Sequence, residues 1–292
     1  MRIHTLALLL GASLTLGACG DKDDDGASDS GADGSDASDS SDGSDGSDGA
    51  SDGTDGAADG TASLAGTVVF GDGAPAEGLQ MRLCYTGCRV ANTDASGNFL
   101  FEQVEEATHT LQVVALGDLE MSSPHAMIAL GDGEARTLGA PITLVPYENW
   151  TAMSGTDDYK AGGFLTLKGA SPDDLSYGAY SPSPEAPFIA GARLPAEAAG
   201  LPADGLPEDK PVLAIWYLGQ FDATVAGAGW AYEIEDNFGQ APGAKVQAYV
   251  SSNEDKGWID AGTATVGEDG ILRSDDGAGI TKLNTLVLVP AE

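Results

Sequence analysis

The sequence predicts an all-β protein in which two tandem antiparallel β-sandwich modules follow a disordered acidic tether. From residue 63 onward, short runs of alternating apolar and polar residues are separated by turn-forming Gly, Asp and Pro, which is typical of sandwich strands. Residues 19–62 are instead almost entirely Asp, Ser, Gly and Ala, a composition that cannot bury a hydrophobic core. The two modules are therefore expected at residues 63–146 and 147–292.

The N-terminus has the pattern of a secretory signal peptide over residues 1–18. Arg2 supplies the basic start, an apolar stretch runs from Leu6 to Leu16, and small residues precede Cys19. The apolar stretch is too short for a transmembrane helix. We therefore expect an exported protein whose mature form does not contain this segment.

The segment Leu16-Gly17-Ala18-Cys19 resembles the bacterial lipobox. The resemblance implies that Cys19 becomes the mature N-terminus and is acylated, and several acyl chains on one residue give stable membrane anchoring. Gly20 stands where an Asp would favour retention in the inner membrane, so the outer membrane is the predicted location. An ordinary signal peptide that happens to precede a cysteine is the alternative.

The tether is predicted to be a spacer, because its like charges repel one another and a flexible chain of this length spans roughly 35 Å root-mean-square. Two motif matches within it predict no site. Asp21–Gly26 fits the opening of a calcium-binding loop, but Ala32 stands where the last glutamate ligand belongs. Gly49–Gly53 fits the G-x-S-x-G pattern of hydrolases but lacks the strand before it and the helix after it. Loose association of cations with the whole tract is the alternative to a structured calcium site.

The charge balance excludes two classes of partner. The chain carries 46 acidic and 13 basic residues, a formal net charge of -33, and contains no run of Lys or Arg. Nucleic acids and anionic lipid head groups both bind through clustered basic side chains. We therefore expect neither nucleic acid nor an anionic membrane surface as a partner, apart from the membrane contact made by the lipid anchor.

Residues 63–146 resemble a known family of accessory domains. The predicted strands are Leu64–Phe70, Leu79–Tyr85, Arg89–Thr93, Asn98–Phe101, Thr110–Ala115 and Ile142–Val145. The segments Gly66–Val68, Gly73–Leu79 and Thr93–Phe101 look like the carboxypeptidase regulatory-like domain, a transthyretin-like sandwich of seven strands. That resemblance implies an accessory or structural module with no catalysis of its own, and the fold by itself does not imply sugar binding.

Two of the three cysteines lie in the first module. Cys84 and Cys88 remain once Cys19 is assigned to the lipid, and an even number of cysteines in an exported chain predicts a disulfide. The three residues between them suit the tip of a hairpin, where the two side chains face each other. Metal binding by the pair is the alternative, but the sequence offers no further ligands beside them.

Residues 147–292 contain a second set of predicted strands: Gly163–Lys168, Val212–Leu218, Trp230–Ile234, Lys245–Val250, Gly257–Val266, Ile271–Arg273 and Thr285–Val289. The Pro-, Ala- and Gly-rich segment 169–211 is predicted to form long loops. The segments Pro242–Val246, Gly257–Val266 and Gly277–Ile280 resemble ZU5-type extracellular β modules. This weaker resemblance implies a structural or interaction domain.

Trp230 and Tyr232 are the candidate ligand-binding residues of the second module, because aromatic faces stack on the apolar faces of sugars. Filling the sandwich core is the competing interpretation for both side chains, and the sequence favours it. The same two interpretations apply to the other aromatic residues of these strands, Trp216, Tyr217 and Trp258.

The remaining polar residues give little indication of a metal-binding or catalytic site. The pairs Asp157-Asp158 and Asp275-Asp276 are either calcium-binding loop carboxylates or solvated acids, and so acidic a chain favours the second. His109 and His125 have no neighbouring Cys, Asp or Ser pattern, so we expect surface or hydrogen-bonded histidines. The sequence predicts no catalytic residue, no metal ligand and no cofactor.

These features together predict a non-enzymatic, membrane-anchored lipoprotein that acts as a structural or adhesion-type interaction module. A carbohydrate-binding surface protein is the alternative, and a hydrolase with an accessory sandwich domain is the second alternative. The expected partners are the membrane, through the lipid, and a carbohydrate or a protein. The sequence leaves open the oligomeric state and the face of the outer membrane that the modules occupy.

Overall fold

The computed structural model describes residues 60–114, 121–178, 186–195 and 200–291. Over these ranges the chain forms β-strands and one short 3-10 turn, Pro172–Asp174, with no α-helix. The all-β prediction is confirmed. The signal peptide, Cys19, the tether up to residue 59 and both motif matches within it lie outside the described residues.

No helix suited by length and hydropathy to crossing a membrane occurs in the described ranges.

The first β region is a sandwich of two small sheets. Its strands are β1 (Ala62–Phe70), β2 (Gln80–Cys84), β3 (Cys88–Asn92), β4 (Asn98–Val104), β5 (Ala107–Val114), β6 (His125–Leu130), β7 (Ala135–Thr137) and β8 (Ile142–Leu144). One sheet has the order β4-β1-β7, with β8 also paired to β1, and the other has the order β3-β2-β5-β6. The first-module strands that the sequence predicts are present, whereas β6 and β7 were not predicted.

Strand β1 departs from the predicted antiparallel pairing. It is antiparallel to β4 but parallel to both β7 and β8. The chain leaves the other sheet after β6 and reaches β7 by crossing over, so it arrives in the direction of β1. Alternation along β1 places Leu64 and Val68 in the core, where they meet Phe99 and Phe101 of β4. The two phenyl rings pack edge to face with their centres 5.8 Å apart.

The second β region is dominated by one large sheet. Its strands are β9 (Asn149–Ala152), β10 (Asp157–Lys160), β11 (Leu165–Ala170), β12 (Leu175–Ser176), β13 (Phe188–Pro195), β14 (Ala214–Gly219), β15 (Ala223–Val225), β16 (Tyr232–Ile234), β17 (Lys245–Ser252), β18 (Gly257–Val266), β19 (Leu272–Ser274), β20 (Lys282–Leu283) and β21 (Thr285–Pro290). Ten of them form a sheet in the order β10-β11-β16-β19-β18-β17-β21-β14-β13-β9, and β12, β15 and β20 form a small second sheet. The fully apolar strand predicted near Val212–Leu218 is β14, which is buried on both faces between β13 and β21.

The prediction of long loops across residues 169–211 is wrong for Phe188–Pro195, which is a strand of the large sheet. This strand, β13, pairs with β14 along its length and with β9 on its other side. Its alanines, glycine and terminal proline have low strand propensity, so the sequence does not predict a strand there. Small side chains are required there because another segment of the chain packs directly on Gly191.

The large sheet curls until β10, at one end, lies beside β9 and β13 at the other. We call this junction the seam; it consists of residues 148–149 and 161–164 together with Gly191. A Cβ atom on Gly191 would lie 1.9 Å from the carbonyl oxygen of Ala161, and one on Gly162 would lie 2.3 Å from the carbonyl oxygen of Gly191. The Glu148 amide also donates a hydrogen bond to the Gly191 carbonyl, at 2.9 Å. The sheet therefore closes at a place where only glycine leaves enough room.

The two β regions contact each other through the segment that follows β13. The carboxylate of Asp204 accepts hydrogen bonds from both terminal nitrogens of Arg136, at 2.6 and 3.0 Å, and from the Ala129 amide at 2.7 Å. The Asp204 carbonyl accepts a hydrogen bond from the indole of Trp258, at 3.0 Å. Leu201 packs against the cores of both regions. One carboxylate thus joins two strands of the first region, β6 and β7, to the second.

His125 lies inside this contact, so the prediction of a surface or hydrogen-bonded histidine is wrong for it. The second region covers the outer face of β6, which leaves the His125 ring fully buried beside Phe221, with ring centres 6.1 Å apart. Within the described part of the chain, neither ring nitrogen has a hydrogen-bond partner. Burial, with a smaller contribution from Lys256, lowers the pKa of His125 to about 3.

We predict that replacing Gly191 by alanine destabilises the protein by about 1–3 kcal/mol, because the added methyl group collides with backbone atoms that cannot move independently. Gly155→Ala is the matched control, since nothing lies within 4 Å of a Cβ atom at that glycine. Urea denaturation of both variants measures the difference. Equal stability of the two variants would contradict a tightly closed seam.

We predict that the free energy of unfolding falls as the pH is lowered from 6.5 towards 3. The unfolded chain takes up a proton at His125 near pH 6.5 and the folded chain only near pH 3, so between these values the unfolded state binds more protons. For one group the slope reaches about 1.4 kcal/mol per pH unit. His125→Phe should remove this component, whereas His109→Phe should retain it. Denaturation across this pH range gives the slopes, and an unchanged slope in His125→Phe would refute the assignment.

Candidate functional site

A surface hollow of about 300 Å³ lies at the seam. We call it the Phe164 hollow. Its lining residues are Glu148, Asn149, Lys160, Gly163, Phe164, Leu165, Thr166 and Glu235. The volume is at the lower end of the range for small-molecule sites. The lining combines one exposed aromatic ring with carboxylate, ammonium, amide and hydroxyl groups.

Phe164 projects from an unusual turn between β10 and β11. Gly162, Gly163 and Phe164 all have left-handed backbone conformations, with φ angles of +79°, +53° and +67°. The Leu165 amide donates to the Gly162 carbonyl at 2.9 Å, and the Ala161 amide donates to the Leu165 carbonyl at 2.8 Å, which closes the turn. The turn leaves the Phe164 ring 63% exposed. An aromatic residue in this conformation is uncommon, and burial does not explain it here.

Side chains beneath the turn hold it in place. The indole of Trp216, which is fully buried, donates a hydrogen bond to the Gly162 carbonyl at 3.3 Å. The Arg193 guanidinium lies over the rings of Trp216 and Phe238, at 5.4 and 4.9 Å, and bonds to the Asp236 carboxylate at 2.8 Å. The turn therefore rests on a packed cation–aromatic stack, which fixes the position of the exposed ring.

The two glutamates of the hollow differ in how they are engaged. Both carboxylate oxygens of Glu148 accept backbone hydrogen bonds, from the Gly163 amide at 2.6 Å and from the Arg193 amide at 3.2 Å. Glu235 is joined to the turn by its own amide, which donates to the Phe164 carbonyl at 3.2 Å, while its side chain is exposed. Glu148 is thus a structural support although it is itself exposed, and Glu235 is the second solvent-exposed carboxylate of the hollow.

This arrangement suits binding better than hydrolysis. An exposed phenyl group with polar side chains around it fits a ligand that has one apolar face and hydrogen-bonding edges. Glycoside hydrolysis requires two carboxyl groups that act together on one bond. In the hollow, one of the two carboxylates, that of Glu148, already accepts two backbone hydrogen bonds.

Trp230 and Tyr232 do not form the sugar-stacking platform considered from the sequence. Their side chains belong to the core of the second region and are only 4% and 1% exposed. The Trp230 indole donates a hydrogen bond to the Asp174 carboxylate at 2.9 Å. Burial raises the pKa of the Tyr232 phenol. Neither ring presents a face to solvent, because both lie between the large sheet and the small one.

Cys84 and Cys88 form a disulfide that joins the ends of β2 and β3. A smaller hollow of about 120 Å³ lies next to it and is lined in part by Tyr85 and His109. His109 is buried, its ring packs edge to face on Tyr85, and its Nε2 donates to the Glu105 carbonyl at 2.9 Å. Burial lowers the pKa of His109.

One aspartate of each pair is bound to other side chains. Asp158 forms an ion pair with Lys168 and accepts a hydrogen bond from the Gly169 amide at 2.9 Å. Partial burial raises the pKa of Asp275, but hydrogen bonds from Lys245, Thr263 and Thr265 outweigh it and lower the pKa to about 2. In the ranges that the structure describes, no three His, Cys, Asp or Glu side chains come together as a metal site would require.

Comparison with known proteins gives no family assignment. No family model matches the chain, and no curated protein matches it. Among solved structures, it is similar to a "putative carbohydrate binding protein" of Bacteroides uniformis, with 8% identity, 79% of this chain and 80% of that chain covered, and a TM-score of 0.25. A DUF3823 family protein of Bacteroides ovatus has 10% identity, 79% and 82% coverage and a TM-score of 0.22. The major pilin SpaD of Corynebacterium diphtheriae has 9% identity, 78% and 55% coverage and a TM-score of 0.24. Likenesses of this size assign no function.

We predict that Phe164→Gly changes the free energy of unfolding by less than about 1 kcal/mol. Glycine adopts the left-handed conformation without strain, which stabilises the folded state by about 1 kcal/mol. This gain offsets the larger conformational entropy that glycine loses on folding. Leu165→Ala, at a neighbouring buried position, should instead cost about 2–5 kcal/mol. Urea denaturation distinguishes the two. A large loss of stability in Phe164→Gly would mean that the ring supports the fold.

Proposed function

We propose that the protein is a non-enzymatic, membrane-anchored lipoprotein that acts as an adhesion-type interaction module of the cell envelope. The observation that carries the proposal is the presentation of Phe164. Its ring is exposed on a strained turn, above polar groups and on a rigid sheet. Backbone strain of this kind is retained where surrounding structure enforces it, and it concentrates at binding sites.

The display of the module is proposed from the sequence. Cys19 carries the lipid, the acidic tether that precedes β1 holds the β regions away from the bilayer, and the outer membrane is the location. Contacts such as that of Arg136 with Asp204 hold the two β regions together. The tether thus carries a single binding unit.

Carbohydrate binding is the second candidate function, and the Phe164 hollow favours it. The exposed Phe164 ring and the polar groups around it offer a stacking surface for a sugar, which the buried Trp230 and Tyr232 do not. A hydrolase is the less favoured candidate, because the Glu148 carboxylate already supports the turn through two backbone hydrogen bonds, whereas hydrolysis needs it to act together with Glu235 on one bond. If the hollow were catalytic, Glu235→Gln would abolish the release of reducing ends from a bound glycan. We expect no such release from the unmodified protein.

Replacement of Cys19 by alanine tests the anchoring. We expect the unmodified protein to sediment with outer membranes and to incorporate labelled palmitate. Cys19→Ala should incorporate no label and should leave the membrane fraction, whereas Cys88→Ala, the matched cysteine control, should behave as the unmodified protein does.

Protease treatment of intact and permeabilised cells then distinguishes surface display from a periplasmic location. Cleavage of residues 63–292 on intact cells would support adhesion, and cleavage only after permeabilisation would contradict it. Membrane sedimentation of Cys19→Ala would contradict the lipid anchor.

A further inference from the structure

We propose that the Phe164 hollow binds a neutral glycan, with the unsubstituted face of one sugar ring stacked on Phe164. This inference rests on the proposed binding function and names its ligand class. A pyranose has an apolar face of C–H groups and hydroxyl groups around its edge, so it needs an exposed aromatic ring beside hydrogen-bonding groups. The hollow supplies both within about 300 Å³.

The stacking surface is a single ring that is free on its outer side. Phe164 is 63% exposed, whereas its neighbour Leu165 is only 1% exposed. An apolar peptide segment would need a larger apolar groove than one ring provides. One sugar face matches the area of one phenyl ring, so the hollow is better suited to a glycan than to an apolar peptide.

The polar groups of the hollow suit the hydroxyl groups of a sugar. The Glu235 carboxylate accepts hydrogen bonds, the Lys160 ammonium donates them, and the Thr166 hydroxyl does both. Lys160 and Glu235 are both exposed at the mouth of the hollow. Sugar hydroxyl groups also donate and accept, so they can pair with every member of this set.

Charge selects neutral sugars over acidic ones. The hollow contains two carboxylates, those of Glu148 and Glu235, and one ammonium group, that of Lys160. The whole chain has a formal net charge of -33. Uronic acids would therefore be repelled by the site and by the rest of the protein, and this repulsion is strongest at low ionic strength. Neutral glycans avoid that cost.

The site is held in its binding conformation before the ligand arrives. The Gly162 carbonyl accepts a buried hydrogen bond from Trp216, and the Gly163 amide donates an exposed one to Glu148, so the turn cannot rearrange without the loss of both. A rigid site loses little conformational entropy on binding. The strained backbone at Phe164 is thus part of the recognition.

Affinity electrophoresis of the full chain through gels that contain a polysaccharide tests the proposal. The neutral probes are dextran, soluble starch, galactomannan and xyloglucan, and the acidic probes are alginate and polygalacturonate. We expect at least one neutral probe to retard the protein and neither acidic probe to do so. Phe164→Gly should weaken the retardation by about tenfold or more. Phe164→Trp should retain it, and Leu100→Ala, which alters an exposed apolar residue in the first β region, should leave it unchanged.

Three results would overturn the inference: no retardation by any neutral probe, retardation by either acidic probe, or equal retardation of Phe164→Gly and the unmodified protein. These failures are distinct from failure of the proposed function, which is tested by the Cys19→Ala and protease experiments. Surface display without glycan binding would refute the ligand class and would direct the search to a protein partner. Retention of folding in Phe164→Gly, measured by urea denaturation, ensures that lost binding reports on the ring.

Discussion

The close approach of Ala161 and Gly162 to Gly191 is the constraint on which the second β region depends. Each backbone lies where the other would collide with a side chain, so the large sheet closes only with glycine at both places. Closure brings Glu148 to the turn and places the turn above Trp216. The exposed ring of Phe164 follows from this geometry. Packing of the sheet and presentation of the candidate site therefore have one cause.

The sequence predicts strands whose residues alternate or are wholly apolar. It predicts β1 and β14, because Leu64, Val68 and the apolar run near Trp216 reflect burial directly. It does not predict β13, whose small residues are set by contact with a distant turn rather than by strand propensity. The burial of His125 was likewise hidden, since it depends on the packing of the second region over β6.

The candidate site, like β13, depends on long-range contacts that the sequence does not reveal. Trp230 and Tyr232, the aromatic candidates on predicted strands, fill the core. Phe164 also lay on a predicted strand, Gly163–Lys168, but the observed strand β11 begins at Leu165 and leaves Phe164 in the turn before it. Two successive glycines before an aromatic residue were the signal in the sequence that could have revealed this turn. Its significance depends on a left-handed backbone and on contacts with Trp216 and Glu148, which no local pattern contains. Local sequence predicted the fold class, and long-range packing determined the site.

Hydrogen–deuterium exchange with and without the tightest-binding neutral glycan tests the central claim most directly. The account predicts that the Gly163 and Leu165 amides, which are hydrogen-bonded in the free protein, exchange slowly and become slower still when the glycan is bound. Protection should be confined to the seam and to the neighbouring ends of β11 and β16. Ligand-induced protection elsewhere, or rapid exchange of the turn in the free protein, would contradict a preformed site at the closed seam.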